Sequence, residues 1–196
     1  MGLFTVTVAT AGAIEKRIRR TLKRIAPNKY RPFIVEDFDD IRGLSGVLLC
    51  KGTIFLRLAG CKFTHAAIYH KSWVYESSDG IGVHKLSYEE FIAEYLHGYN
   101  EVHFYQFSPG FDQKKFEKEF KKVDGMSYEK HSKEFIRSKH HKNKTQFLDS
   151  FFCSQVVAYL LQRMGILSID ILSSNFTPDD FPDADYVNGH TLKRIF

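Results

Sequence analysis

The chain has 196 residues, 43% of them apolar and 15% aromatic, with a formal net charge of +5. That length supports one domain with a core, and the aromatic content excludes a disordered chain. No apolar run approaches the roughly 18 residues a membrane span needs. The charge is unevenly placed: residues 1–35 carry eight Lys/Arg against Glu15 alone, and residues 113–144 carry eleven against five Asp/Glu. The rest of the chain is acidic, so the positive excess suits local contact with an anionic surface better than wrapping a nucleic acid. Residues 113–144 also lack the aromatic interleaving that stacks bases, and no nucleic-acid partner is expected.

The opening stretch is apolar but lacks the basic residues that precede the apolar region of a signal peptide. Val6 stands where a myristoylation pattern wants Ser or Thr. In "AIEKRIRRTLKRIA", Ile14, Ile18, Leu22 and Ile25 fall on one helical stripe and basic residues cover most of the rest. Residues 13–26 therefore read as a helix that docks its stripe on the domain or lies on an anionic membrane. The scarcity of acidic residues also admits a mitochondrial presequence. Pro27 and Pro32 bracket a linker, which divides the chain into a basic segment over 1–32 and a domain over 33–196.

"SGVLLCKG" reads as a buried strand between glycines. "THAAIYH" and "WVYES" form a hairpin with its turn near His70–Ser72, and "GIGVHKL" is a fourth strand. "SYEEFIAEYL" opens with a capping box between Ser87 and Glu90. "EVHFYQF" alternates as a fifth strand. "DQKKFEKEFKKV" is a helix capped by Asp112, with Phe116, Phe120 and Val123 on its inner face. "FCSQVVAYLLQRMG" is the most apolar helix, and Gly165 ends it. Strands with helices before, between and after them make an α+β domain.

The hairpin carries a histidine and, eleven positions on, a glutamate. With the turn centred on His70–Lys71, His65 faces Glu76. With the turn on Lys71–Ser72, Glu76 lies diagonally adjacent. Either register puts both on one face, where the carboxylate can fix the ring's tautomer and favour its protonated form. Cys153 stands at the first turn of the apolar helix, where exposed N–H groups and the helix dipole stabilise a thiolate. Thiol, imidazole and carboxylate on separate elements are the parts of a nucleophilic cysteine enzyme: Cys153 attacks, His65 carries the proton, and Glu76 orients His65. The backbone N–H of Cys153 would serve an oxyanion hole. Cys50 and Cys61 read as buried small hydrophobes. The three cysteines are odd in number and lack metal-like spacing, so they read as free thiols of a reducing, cytoplasmic compartment. His131, His140 and His141 read as a solvated loop, so neither metal nor cofactor is expected.

Three stretches, "SGVLLCKG", "FTHAAIYHKSWVYESSDGIGVHKLSYEEFI" and "FFCSQVVAYLLQRMGI", resemble in that order the circularly permuted NlpC-type papain-like hydrolases of the YiiX-like group, which includes a poxvirus member. The tail "SSNFTPDDF" resembles the stretch after the cysteine helix in that member, and the likeness spans about residues 42–182. The resemblance implies a permuted papain-like α+β fold: an antiparallel sheet or small barrel packed on the cysteine helix, with the histidine strands earlier in the chain. It implies Cys153 as nucleophile, His65 as base and Glu76 as third member. "DGMSYEK" resembles the family's Gly-x-x-Tyr segment, which sets Tyr128 beside the site, and Ser154 joins it as a substrate-binding candidate. The basic stretch 130–144 is long for the family. The activity implied is a thiol hydrolase of amide or acyl bonds in a peptide, γ-glutamyl or lipid-linked substrate. A lecithin:retinol-type acyltransferase and a non-catalytic binding module on the same fold are the alternatives.

Overall fold

The computed structural model describes residues 41–51, 60–95, 101–129, 137–138, 140–145 and 148–195. The basic segment over 1–32, its linker, the start of the domain near Phe33, and His131 lie outside the described residues. The elements are β1 (Ser45–Lys51), β2 (His65–His70), β3 (Trp73–Ser78), β4 (Gly82–Ser87), α1 (Tyr88–Tyr95), β5 (Glu101–Ser108), α2 (Gln113–Phe120), β6 (Ser127–Tyr128), β7 (Ser150–Phe151), α3 (Cys153–Met164) and β8 (Thr191–Arg194). Two 3₁₀ turns, Ser173–Asn175 and Pro178–Asp183, lie between α3 and β8. The result is an α+β fold with a mostly antiparallel sheet.

Six strands form an open sheet in the order β4-β3-β2-β1-β5-β8, and β6 and β7 make a separate short pair. Every pairing in the large sheet is antiparallel, whereas β6–β7 is parallel. Of the two expected arrangements, the pairings give the sheet rather than the barrel.

The β2–β3 hairpin pairs Ile68 with Tyr75, Tyr69 with Val74 and His70 with Trp73. Lys71 and Ser72 are therefore the two turn residues, and both have positive φ, at 47° and 72°. A two-residue loop with left-handed dihedrals at both positions matches the right-handed twist of its strands. This selects the second of the two registers, the one with Glu76 diagonal to His65.

Helices cover both faces. On one, Val47, Leu49, Ala66, Ile68, Tyr75 and Val83 pack against Phe116 and Phe120 of α2 and Val156, Val157, Leu160 and Leu161 of α3. On the other, Leu48, Cys50, Ala67, Tyr69, Val74 and Leu86 pack against Tyr88, Phe91 and Ile92 of α1. This double cover also encloses β5, which forms where a fifth strand is expected. β5 alternates in sequence, yet Val102, His103, Phe104 and Tyr105 are all buried, because each face of the strand meets a packed layer.

The ends of the helices follow from their caps. Ser87 and Glu90 form the capping box of α1: the Ser87 backbone N–H donates to the Glu90 carboxylate at 2.8 Å, and the Glu90 N–H donates to Ser87 Oγ at 3.1 Å. Asp112 accepts from the Lys114 and Lys115 N–H groups at the start of α2. Gly165 closes α3 in the left-handed conformation, φ 73°, which its missing Cβ permits. Among the described residues no helix is long and apolar enough to cross a membrane.

Candidate active site

Cys153 is the first residue of α3 and His65 the first of β2. Two contacts fix where these elements begin. The Asp179 carboxylate accepts from the backbone N–H groups of Lys62 and Phe63, at 2.8 and 2.6 Å, just ahead of His65. The Ser154 hydroxyl donates to the Phe176 carbonyl at 2.7 Å, just after Cys153. The segment after α3 thus anchors the start of the strand and the start of the helix. Ser154, expected as a substrate-binding candidate, is fully buried and its hydroxyl makes this anchor.

His65 Nε2 donates to Glu76 Oε2 at 2.7 Å. The Cys153 thiol is also a hydrogen-bond partner of the His65 ring. With Nε2 on Glu76, the ring nitrogen left for the sulfur is Nδ1. The His65 ring also lies 6.4 Å from that of Phe91 on α1, stacked on it. Alternation along β2 puts His65 with Ala67 and Tyr69 on the α1 face, and Cys153 reaches it where β2 and α3 both begin.

All three groups are enclosed: Glu76 is 0%, Cys153 4% and His65 5% exposed. Burial is the largest influence on His65 and works against its charge. The charges of Cys153 and Glu76, with their hydrogen bonds, outweigh it and raise the pKa of His65 from 6.5 to about 10. A ring held between a sulfur and a carboxylate is thus protonated at neutral pH. The side chain of Phe152, the N-cap of α3, caps none of the first-turn N–H groups.

Tyr128 reaches the site through the short parallel pair. It lies opposite Phe151, two residues before Cys153. Burial and then the charge of Cys153 push its phenol well above the ordinary range, with smaller contributions from Asp79, Glu129 and Glu76. Two contacts hold this pair on the sheet. Ser77 Oγ donates to the Phe151 carbonyl at 2.7 Å, and the Val83 N–H donates to the Met126 carbonyl at 2.8 Å. Gly82 permits the second approach: a Cβ there would meet the Met126 oxygen at 2.2 Å, and its φ is +91°.

Neither a protein-family model nor a curated protein matches the chain.

Two neighbours were not legible as site residues. Cys50, opposite His65 on β1, is fully buried among apolar side chains as expected. Burial raises its thiol pKa well above the usual value, and Glu76 and Cys153 add to the rise. His84, opposite Glu76 on β4, had only one signal, its place in "GIGVHKL" across the hairpin from the carboxylate strand. His140 and His141 are exposed. Among the described residues no group of three or more His, Cys, Asp or Glu is arranged to hold a metal ion.

Proposed function

We propose that the chain is a cysteine hydrolase that cleaves an amide or acyl bond through Cys153, His65 and Glu76. One observation carries this reading: the three side chains, from α3, β2 and β3, form one run of hydrogen bonds with the thiol at a helix N-terminus. In this scheme the proton shared by Cys153 and His65 rests on His65 Nδ1, and the sulfur attacks the substrate carbonyl. The oxyanion is met by first-turn N–H groups of α3, with Tyr128 beside them. Collapse of the adduct expels the leaving group, which takes the proton from His65. Water then attacks the thioester with His65 as base, releasing the acid and restoring the sulfur beside a protonated His65. Glu76 keeps Nδ1 facing the sulfur throughout.

The permuted papain-like fold belongs to the same reading. It is supported by an antiparallel sheet whose histidine and glutamate strands precede the packed cysteine helix, together with the motif resemblance. Peptide, γ-glutamyl and lipid-linked acyl groups are the substrate class. Three buried free thiols favour a reducing, intracellular setting. Peripheral contact with an anionic membrane through residues 13–26 would bring lipid-linked substrates to the site. Vesicle flotation with and without residues 1–30 tests it, and equal flotation removes that role.

The decisive experiment exposes the folded protein to an electrophilic thiol probe at neutral pH and locates the adduct by mass spectrometry. Labelling of Cys153 ahead of Cys50 and Cys61 is expected. Labelling that spares Cys153 ends the proposal.

A further inference from the structure

Glu76 has two carboxylate oxygens, and the hydrolase mechanism uses one. Oε2 accepts from His65, while Oε1 lies 3.3 Å from Nε2 of His84. His84 Nδ1 donates to the Gly82 carbonyl at 2.9 Å, which fixes that nitrogen as an N–H. Nε2 is then the nitrogen that gains or loses the proton. It is buried and makes no hydrogen bond, so it lies at ion-pair distance from Oε1 but off the line along which it would donate. In the neutral ring a lone pair faces a carboxylate, which is unfavourable. In the protonated ring an N–H replaces it, and a small rotation brings donor and acceptor into line.

We propose that His84 is a positioning residue for Glu76: its protonated ring, tied at Nδ1 to Gly82, holds the outer oxygen of the carboxylate whose inner oxygen orients His65. This deepens the hydrolase reading and rests on it for its catalytic meaning. The carboxylate on β3 is then gripped from β2 and β4 together. The fold builds the grip from strand register, since Glu76 and His84 are direct cross-strand partners.

Other charges bear on the same carboxylate. Cys50 from β1 and Tyr128 from β6 both feel Glu76, and Cys153 from α3 acts on His65, Cys50 and Tyr128. Asp79 and Glu129 act on Tyr128. The residue of α1 stacked on His65 is Phe91, which is uncharged. Lys85, next to His84, is directed elsewhere, over the Trp73 ring at 4.4 Å and 4.0 Å from Glu117. His65 and His84 both lie within ion-pair distance of Glu76.

The sign follows from the geometry. The protonated His84 ring carries an N–H at Nε2 and takes a share of the carboxylate, which the neutral ring does not. The His65 ring should register that difference although it stays protonated itself. The test follows the ring nitrogens by NMR across pH 5–9 in the full chain and in two variants, with circular dichroism to verify folding. His84→Gln places a neutral donor near Nε2, and His84→Asn keeps only the Gly82 side. In the wild type, the His65 nitrogen shifts should show an inflection at the pH where His84 titrates, and both variants should lose it. Alkylation of Cys153 by iodoacetamide supplies the second readout. His84→Gln should stay within about twofold of the wild-type plateau rate without its pH step, and His84→Asn should fall about tenfold, the loss expected for one outer partner of a working residue. His65 shifts that ignore the titration of His84, or three superimposable rate profiles, overturn the proposal. If Cys153 alkylates no faster than Cys50 and Cys61 the hydrolase reading falls instead, while the NMR inflection still decides whether His84 holds Glu76.

Discussion

His65 and His70 bound the same strand, and they are almost equally buried, at 5% and 3% exposure. Their environments nevertheless drive them in opposite directions. His70 Nδ1 shares a hydrogen bond of 2.6 Å with the Ser45 hydroxyl, and its ring lies 4.7 Å from that of Phe111. Burial, aided by Lys71, lowers its pKa despite smaller opposing contributions from Gln113 and Glu117. At the other end of the strand a thiol and a carboxylate reverse the effect of burial on His65. Burial alone makes a neutral structural histidine. Burial with two anionic partners makes a protonated one.

The largest expected effect comes from removing the sulfur. Cys153→Ala should abolish the proposed hydrolysis, a loss of at least about 10³-fold, and bring the His65 pKa down from about 10. Activity and ring titration check the two halves separately. A variant that still hydrolyses substrate breaks the contrast between the two histidines. Glu76→Gln keeps the shape and removes the charge. It should slow Cys153 alkylation by about 10²-fold and move its pH dependence to lower pH, because the wrong tautomer becomes available and His65 loses an anion.

The same logic can be imposed on the other end of the strand. Ser45→Asp sets a carboxylate beside His70 Nδ1 and should raise the pKa of that ring by about 1–3 units, as read by NMR. It should create no new thiol reactivity, since no cysteine is in contact there. Removing His70 should matter least: His70→Phe should leave Cys153 alkylation unchanged within about twofold and shift stability by about 1 kcal/mol.

Stability against pH separates the pair once more. A folded-state pKa above the unfolded value means that the protonated His65 contributes fully below about 6.5 and loses that contribution as pH rises towards 10. A lowered pKa means that the neutral His70 contributes above about 6.5 and loses its contribution as pH falls below it. Urea unfolding across pH should therefore lose part of its acid-side decline in His70→Phe and part of its alkaline decline in His65→Phe.

Much of the fold was legible because its signals are local. Alternation and flanking glycines located β1 to β4, the Ser87–Glu90 box opened α1, and Asp112 and Gly165 bounded α2 and α3. His65 and Glu76 were legible as a pair because a tight hairpin leaves few registers, and both of those considered put them on one face. The hydrogen bond from Ser154 to the Phe176 carbonyl was not legible, because adjacency to Cys153 does not say where a hydroxyl points. His84 was passed over because its significance depends on a second hairpin's register. The two-residue strands β6 and β7 are too short for any period to show, yet they set Tyr128 beside Phe151.

The sequence by itself determined β1 to β5 and α1 to α3, and that His65 and Glu76 share a hairpin face. Side-chain periodicity, capping and turn geometry act over a few residues and can be read from them. Only the tertiary structure decided that Cys153 meets His65, that Asp179 and Phe176 anchor the starts of β2 and α3, and that His84 stands against Glu76. Those contacts join residues far apart in the chain, and which of them form is settled by how the helices pack on the two faces of the sheet.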